Sequence, residues 1–224
     1  LDSLSNTNLN AAFRVALDLT NQVAYVVSFN ADSITSIDIS DPNSLTELDS
    51  LLSNTNLDNA RGVALDLTNQ VAYVASFTSD SITSIDISDP NSLTELDSLS
   101  NTNLDGAFGI ALDLTNQVAY VVSVDDKITS IDISNPNSLT ELDSLSNANL
   151  DGARSVALDL TNQVAYVVSL GADSITSIDI SDPNSLTELD SLSNTNLNGA
   201  SGISLDLTNQ VAYVVSSMPT ALRL

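Results

Sequence analysis

Six residues in aligned columns of a repeated sequence have the chemistry expected of a ligand site. They are Phe13, Arg14, Arg61, Phe108, Arg154 and Ser201. The chain has only 5 Lys and Arg against 29 Asp and Glu, so arginines gathered in two columns stand out. Arginine binds anionic groups through charge-assisted hydrogen bonds, and phenylalanine offers a flat apolar face for stacking. These residues predict a site for a small anionic or saccharide ligand.

A purely structural interpretation of the arginines stays open beside this one. Acidic residues precede two of the arginines closely, so Arg14, Arg61 and Arg154 could serve only to neutralise Asp58, Asp105 and Asp151. Structural ion pairs of this kind are common. The repeats are also nearly identical, so a difference between them could be neutral drift.

Regularly spaced aspartates form a second candidate site. They are Asp38, Asp86, Asp132 and Asp179, each followed by Ser-Asp-Pro-Asn or, in the third case, Ser-Asn-Pro-Asn. Their oxygens suit Ca²⁺, but no Asp-x-Asp-x-Asp-Gly loop occurs. Aspartate at the end of a strand commonly caps a turn. We therefore favour turn capping, keep Ca²⁺ as the alternative and expect no other cofactor.

Catalysis has few residue types to draw on. Histidine and cysteine are absent, which excludes the Ser-His-Asp and Cys-His arrangements and the common zinc sites. Paired carboxylates remain, but most acidic residues recur in every repeat, and the exceptions are Asp125 and Asp126 beside Lys127. The sequence therefore predicts no catalytic residue and a protein that is not an enzyme.

One decapeptide recurs five times and reveals how the chain is organised. LDLTNQVAYV stands at 17–26, 65–74, 112–121, 158–167 and 205–214. Alignment on LDSLSN gives the units 1–47, 48–95, 96–141, 142–188 and an incomplete 189–224. A period near 47 residues is typical of propeller blades. A single blade cannot bury both faces of its sheet, so near-identical copies are expected to cover one another.

Each unit contains four segments that favour β-structure. A hairpin around Thr-Asn-Gln joins strand A to strand B, and strand B (Val23 to Val27) is apolar at nearly every position, as in an inner strand. Strand C (Ile34 to Ser40) alternates and stops at Ser-Asp-Pro. Strand D (Leu45 to Leu51) has leucines every three residues, so a short helix is the alternative. We predict an all-β propeller of four-stranded antiparallel blades in one domain, residues 1–224.

The two ends of the chain bear on the number of blades. Five blades are expected if the N-terminal segment (Leu1 to Leu4) supplies a strand to the last blade and Leu222 to Leu224 form its strand C. If this closure fails, another chain or further residues must cover the open edge. The chain begins without Met, so we expect a mature or trimmed product.

The unit resembles a known repeat family. Residues 34–76, ITSIDISDPNSLTELDSLLSNTNLDNARGVALDLTNQVAYVAS, resemble the LVIVD repeat. The unit is also similar, more loosely, to YVTN-type repeats of surface proteins, in which a comparable hairpin precedes a Val-x-Ile-Asp strand. Both resemblances imply β-propellers that are often secreted or attached to the cell surface, with no fixed activity. The Leu-Thr-Asn-Gln turn departs from the usual glycine-containing one.

Charge and the variable loops complete the functional prediction. A net charge of −24 disfavours nucleic acid and anionic membranes as partners, and no apolar run is long enough to span a bilayer. The copies differ mainly in the D–A and B–C connections, which share one face of a propeller. We predict a non-enzymatic, extracellular or cell-surface module that binds a carbohydrate or protein ligand there. The alternatives are a structural building block that self-associates by strand exchange into a filament or lattice, and a carbohydrate hydrolase.

Overall fold

The protein is a series of antiparallel β-sheets. The computed structural model describes residues 2–52 and 54–216. They form four sheets of four strands, each ordered A-B-C-D, and one sheet of two strands. This confirms the predicted all-β fold of four-stranded blades; the number of blades stays a prediction, and no closed sheet is formed among the described residues.

The strands of the first two blades are β1 (Ala12–Asp18), β2 (Val23–Ser28), β3 (Ser33–Asp38), β4 (Thr46–Leu51), β5 (Ala60–Asp66), β6 (Val71–Ser76), β7 (Ser81–Asp86) and β8 (Thr94–Ser100). The next two blades contain β9 (Ala107–Asp113), β10 (Val118–Ser123), β11 (Lys127–Asp132), β12 (Thr140–Ser146), β13 (Ala153–Asp159), β14 (Val164–Ser169), β15 (Ser174–Asp179) and β16 (Thr187–Ser193). The two-stranded sheet consists of β17 (Ala200–Asp206) and β18 (Val211–Ser216).

Burial follows the predicted order of the strands within a blade. Every residue of β6 and of β10 is buried, because strand B lies between two neighbours and is covered on both faces. Strand D is the half-exposed edge. In the first blade it pairs with β3 from Asp38 opposite Thr46 to Ile34 opposite Leu51, so the segment is a strand and not a helix.

The turn between strands A and B is held by an aspartate. The carboxylate of Asp18 accepts hydrogen bonds from the backbone N–H groups of Thr20 and Asn21, and also from the Asn21 side chain. Gln22, the last residue of the turn, has a left-handed φ of 57°, the region that favours glycine. Glutamine thus stands where such turns usually place glycine, and the aspartate cap stabilises the turn instead.

A short 3₁₀ helix in each D–A connection was missed by the sequence analysis. These helices span Thr7–Leu9, Thr55–Leu57, Thr102–Leu104, Ala148–Leu150 and Thr195–Leu197. An asparagine caps each one, as Asn54 does by accepting from the backbone N–H of Asn56. The side chains of both asparagines also donate to the carboxylate of Glu95. The conformation of this connection therefore depends on hydrogen bonds of asparagine side chains and not on an apolar pattern.

The chain divides into two compact units, one of Leu1–Ala107 with Asn135–Leu139 and one of Phe108–Ser134 with Thr140–Leu224. In the first unit a buried cluster joins consecutive blades: Val63 and Leu65 of β5 pack against the group that contains Tyr25 and Val27 of β2. The second unit repeats this arrangement, with Leu158 packed against the cluster that contains Tyr120. Whether residues 1–224 form a single domain stays a prediction.

Polar contacts add to this packing between blades. In the first unit, the Ser36 hydroxyl donates to the backbone carbonyl of Pro90 at 2.5 Å, and the backbone N–H of Leu93 donates to the Asp49 carboxylate at 2.7 Å. In the second unit, Ser130 donates to the carbonyl of Pro183 in the same way. The Ser-Asp-Pro turn predicted to stop strand C therefore also ties the second blade to the first and the fourth blade to the third.

The predicted N-terminal strand is absent from its described part. Asp2 to Asn6 form no strand. The backbone N–H of Asp2 donates to the carbonyl of Pro42, and its carboxylate accepts from the N–H of Leu45. This carboxylate makes the contact that Asp49 makes with Leu93, so the segment binds a C–D turn instead of pairing as a strand. Leu1 and the predicted strand at Leu222 to Leu224 lie outside the described residues.

We expect the Ala11→Gly substitution to stabilise the protein by about 1 kcal/mol, because Ala11 has a φ of 56° and a left-handed conformation is unfavourable for residues with a Cβ atom. The equivalent positions of the third to fifth repeats are Gly106, Gly152 and Gly199, each with positive φ. The free energy of unfolding in urea measures the effect. The converse variant Gly152→Ala should destabilise the protein, since its Cβ would lie 2.9 Å from the backbone N of Gly171. Equal stabilities of Ala11→Gly and the unsubstituted chain would contradict the assignment of strain.

Candidate functional site

Four of the six candidate ligand residues lie at β-bulges near the start of strand A. In β1, Ala12 pairs with Ser28 and Arg14 with Val27, so the register skips Phe13. The same irregularity skips Arg61, Arg154 and Ser201 in their own strands. A bulge changes the direction of a side chain and is common beside functional sites. All six residues lie within strand A of their repeats.

In the first unit, three phenylalanine rings surround one arginine. The Cζ atom of Arg61 lies 4.1 Å from the ring centroid of Phe29, 4.8 Å from that of Phe13 and 5.9 Å from that of Phe77. Phe13 and Phe29 meet edge to face, with their centroids 6.0 Å apart. These distances are in the range of cation–π attraction. The attraction acts on the face of the planar guanidinium group, whereas its N–H donors point outward within the plane of that group. We call this cluster (Phe13, Phe29, Arg61 and Phe77) the arginine cage.

Asn59 connects the arginine cage to a pair of carboxyl groups. Its side-chain oxygen accepts from Nε of Arg61 at 2.7 Å, while its backbone N–H donates to the Asp32 carboxylate at 2.9 Å. Asp58 lies next to Asp32: burial and the charge of Asp32 raise the pKa of Asp58. The arginine and this carboxyl pair (Asp32 and Asp58) thus meet through a single residue. A cation can polarise a carbonyl group, and a nearby carboxylate of raised pKa can act as a general base.

The second unit contains a related but different group. The Cζ atom of Arg154 lies 4.4 Å from the ring centroid of Phe108, which is buried. Burial and the charges of Asp151 and Asp125 raise the pKa of Asp126. Gly152 stands at the position of Asn59 and has no side chain that could make the contact of Asn59 with the arginine. The arrangement built around Arg61 is the more complete of the two.

The remaining predicted residues have identifiable local roles. Arg14 is half-buried, and burial lowers its pKa. The Ser201 hydroxyl donates to the backbone carbonyl of Val215 at 3.4 Å. Gly109, in the column that follows the bulge, explains why small residues recur there: a Cβ atom on it would lie 2.7 Å from the carbonyl oxygen of Arg154. This column is where consecutive strands A approach each other closely.

The regularly spaced aspartates cap turns in the structure. The carboxylates of Asp38, Asp86, Asp132 and Asp179 each accept a hydrogen bond of 2.8 or 2.9 Å from the backbone N–H two residues later. Within residues 2–52 and 54–216, no group of three or more acidic side chains is placed to hold a metal ion. Turn capping therefore accounts for the spacing of these aspartates.

A cavity in the second unit lies at the opposite end of the strands, beside the A–B turns. It has a volume of about 280 Å³, and its lining includes Asp159, Tyr166 and Asp206. Hydrogen bonds from Asn162 hold the pKa of Asp159 below its usual value of 3.8, and Asn209 does the same for Asp206. These carboxylates already cap their turns, so the cavity has no group with the chemistry of the arginine cage.

Several residues of the site were not assigned to it by sequence reasoning. Asn59 went unnoticed, and Asp58 was considered only as a partner that neutralises arginine. A signal was present in the B–C connections, which begin with Phe29 and Phe77 in the first two repeats and end with an aspartate. That aspartate, which is Asp32 in the first repeat, has a left-handed φ of 50°, and its carboxylate binds the next D–A connection.

Comparison with known proteins assigns the chain to a family. The family model described as Lactonase, 7-bladed beta-propeller, matches residues 4–220. The chain belongs to this lactonase family. No curated protein matches the sequence significantly. Within the described residues, no helix is long and apolar enough to cross a membrane.

Solved structures agree with the propeller fold of the lactonase family. A protein of unknown function from Desulfotomaculum acetoxidans is 13% identical with a TM-score of 0.75, over 92% of this chain and 63% of that one. A candidate 6-phosphogluconolactonase from Bacteroides uniformis is 8% identical with a TM-score of 0.76, over 90% and 62%. The periplasmic gluconolactonase of Pseudomonas aeruginosa is 14% identical with a TM-score of 0.70, over 81% and 53%. The chain thus spans between about half and two thirds of the length of these three proteins.

The family assignment corrects the functional prediction. The expectation of a non-enzymatic binding module, and with it that of a structural building block, is wrong, because the family is named for an enzyme that acts on lactones. The prediction failed because the absence of histidine and cysteine excludes only some catalytic groups. It does not exclude an arginine combined with paired carboxyls.

We expect Asp58→Asn to raise the free energy of unfolding at neutral pH by about 0.5 kcal/mol, the scale of a partly exposed charge pair. Because the folded-state pKa of Asp58 is raised above 3.8, its charge opposes folding at neutral pH. The gain in the free energy of unfolding should shrink as the pH falls through the folded-state pKa of Asp58. It should disappear once the pH is below the pKa that this residue has in the unfolded chain. Urea unfolding at several pH values measures it, with Asp41→Asn, in an exposed turn, as control. A gain that does not change with pH would contradict the carboxyl pair.

Proposed function

We propose that the chain is a lactone hydrolase-type enzyme that opens a sugar lactone to the hydroxy acid. The observation that carries this proposal is the match of the lactonase family model to residues 4–220. Two structural neighbours, named as a candidate 6-phosphogluconolactonase and a gluconolactonase, support a sugar lactone as the substrate class. Such a substrate is a carbohydrate derivative, which narrows the carbohydrate ligand expected from the sequence.

The arginine cage is the part of the site that would receive the lactone carbonyl. Water adds to the carbonyl carbon, and negative charge develops on its oxygen. A fixed guanidinium stabilises that charge, and the aromatic rings keep Arg61 in place without neutralising it. A lactone and its carboxylate product are both acceptors, so the arginine suits the substrate and the product.

The carboxyl pair supplies the proton transfers. A carboxylate of the pair (Asp32 and Asp58) takes a proton from the attacking water and gives it to the ring oxygen as the C–O bond breaks. The raised pKa of Asp58 favours Asp58 for this role, because a carboxylate of higher pKa is the stronger base. Asn59 positions both parts, since it binds Asp32 through its backbone and Arg61 through its side chain.

The proposal also covers the other predicted ligand residues and the predicted cellular location. Phe108 and Arg154 form a subsite of the same residue types in the second unit. Ser201, at the bulge of its own strand, and Arg14, beside the bulge at Phe13, are proposed only as neighbours of the substrate. The resemblance to LVIVD repeats, with a location outside the cell or at its surface, stays a prediction. The Pseudomonas neighbour is named as periplasmic, which supports a place outside the cytoplasm.

Hydrolysis of glucono-1,5-lactone, followed by acid release against the buffer rate, tests this function. We expect catalysis by the unsubstituted chain and a loss of about 100-fold in kcat/KM for Arg61→Gln, the scale for removing one donor to an oxyanion. Asp58→Asn should lower kcat more than it changes KM, because the pair acts on the transition state.

Lys127→Gln is the matched control, because it removes a positive charge that is paired with Asp125 and leaves the arginine cage intact. It should keep full activity. Full activity of Arg61→Gln would contradict the proposed site. A rate for the unsubstituted chain that is no higher than that of buffer alone would contradict the proposed activity.

A further inference from the structure

The B–C connection of the second repeat closes over the D–A connection of the same repeat. The backbone N–H of Phe77 donates to the carbonyl of Asn59 at 3.0 Å, and that of Thr78 donates to the carbonyl of Asp58 at 3.2 Å. Thr78 also makes a side-chain contact, because its hydroxyl oxygen accepts from Nδ2 of Asn59 at 3.2 Å. Thr78 therefore binds the same amide group that binds Arg61.

The backbone part of this closure does not require the two side chains. The positions of Asn59 and Thr78 are both glycine in the fourth repeat, as Gly152 and Gly171. The same two backbone hydrogen bonds nevertheless form there, each at 3.0 Å, and one of them joins the N–H of Gly171 to the carbonyl of Asp151. The contact between the side chains of Asn59 and Thr78 is therefore not needed for the conformation of this connection.

The two hydrogen bonds of the Asn59 side chain hold opposite ends of its amide. Oδ1 accepts from Nε of Arg61 at 2.7 Å, and Nδ2 donates to Thr78. The last torsion angle of an asparagine side chain has a broad energy minimum, so a single hydrogen bond lets the amide rotate. Arginine has only donors, so the amide holds it only while the oxygen faces Nε. The bond to Thr78 keeps the oxygen in that direction.

The backbone of Asn59 also indicates that its side chain has a purpose other than folding. Its φ is 60°, in the left-handed region that favours glycine, and the equivalent residues of the third to fifth repeats are glycines with positive φ. Unfavourable backbone conformations of this kind are concentrated at functional sites. The side chain thus occupies a position where glycine would be more stable, and its contacts with Arg61 and Thr78 are what it adds.

We propose that Thr78 is a positioning residue for Arg61 and acts through the amide of Asn59. We call these three residues the Thr78 relay (Thr78, Asn59 and Arg61), and all of them lie within the first compact unit. The effect of the relay on catalysis rests on the proposed function, in which Arg61 stabilises the charge on the lactone oxygen. The effect of the relay on the orientation of Arg61 does not depend on any substrate.

Hydrogen exchange of the Nε–H of Arg61, followed by ¹⁵N NMR, tests the relay without substrate. Thr78→Val keeps the shape of the side chain and removes the acceptor of the Asn59 amide. We expect exchange to become about 3-fold faster, the scale of one weak hydrogen bond, because Thr78 is exposed. Thr78→Ser keeps the hydroxyl and should restore slow exchange. Thr68→Val, in the exposed A–B turn of the same repeat, is the matched control and should leave exchange unchanged.

Kinetics with glucono-1,5-lactone show whether the relay serves catalysis. Thr78→Val should lower kcat about 3-fold with little change in KM, and Asn59→Gly should lower kcat about 10-fold, because it removes a hydrogen bond to a charged group. Asn59→Gly should also raise the free energy of unfolding, since its φ suits glycine, so a loss of activity is not a loss of folding. Adding Thr78→Val to Asn59→Gly should lower kcat no further.

The two measurements separate a failure of the relay from a failure of the proposed function. Unchanged exchange of the Arg61 Nε–H in Thr78→Val would overturn the relay, whether or not the chain hydrolyses the lactone. An equal loss of kcat from Thr78→Val with and without Asn59→Gly would also overturn it, because Thr78 would then not act through Asn59. Faster exchange in a chain that does not hydrolyse the lactone would support the relay and contradict only the proposed function.

Discussion

The packing of strand B in one blade against strand A in the next is the interaction on which the rest of the structure depends. Within the first unit, Tyr25 and Val27 are covered by the residues of the second blade, and a sheet of four short strands has no other way to bury that face. Apolar surface removed from water stabilises a domain by about 25 cal/mol per Å². Every copy needs the same covering, which explains why the chain repeats one hairpin almost without change.

This constraint also decides where variation is tolerated. The packed part of strand A begins after the bulge, at Val63 in the second blade, and the bulged residue Arg61 is the one that the register skips. A side chain at the bulge is released from the pattern that its neighbours must keep. Chemistry can therefore change at this position without loss of the interface between blades. The bulge column contains arginine, phenylalanine and one serine, whereas the next column contains glycine or serine in every repeat but the first.

The fold could be predicted from the sequence because its signals are local and repeated. Apolar residues at every position of strand B indicated an inner strand, and turn residues marked the ends of strands. Strand D was ambiguous, since Leu45, Leu48 and Leu51 fit a helix as well, and only pairing with strand C decides the matter. The 3₁₀ helices escaped because their signal is an asparagine that caps the backbone and also binds a distant glutamate. No property of Asn54 or Glu95 alone reveals that contact.

The site was predicted only in part, because some of its contacts join residues that are distant in the sequence. Arg61 and Phe13 could be selected by residue type, and the structure brings them together. Asn59 could not, because its role comes from a left-handed backbone that directs its N–H to Asp32 and its side chain to Arg61. The carboxyl pair was hidden by repetition, since each aspartate seemed to belong to its own repeat. Proximity across a blade boundary turns two structural residues into a candidate acid and base.

A crystal structure with a lactam analogue of gluconolactone would show whether the arginine cage binds the substrate, because a lactam has the carbonyl of the substrate but resists hydrolysis. We predict the lactam carbonyl within hydrogen-bonding distance of the Arg61 guanidinium, with the reacting carbon facing Asp32 and Asp58. Binding in the cavity beside Asp159 and Tyr166, with the arginine cage unoccupied, would contradict it.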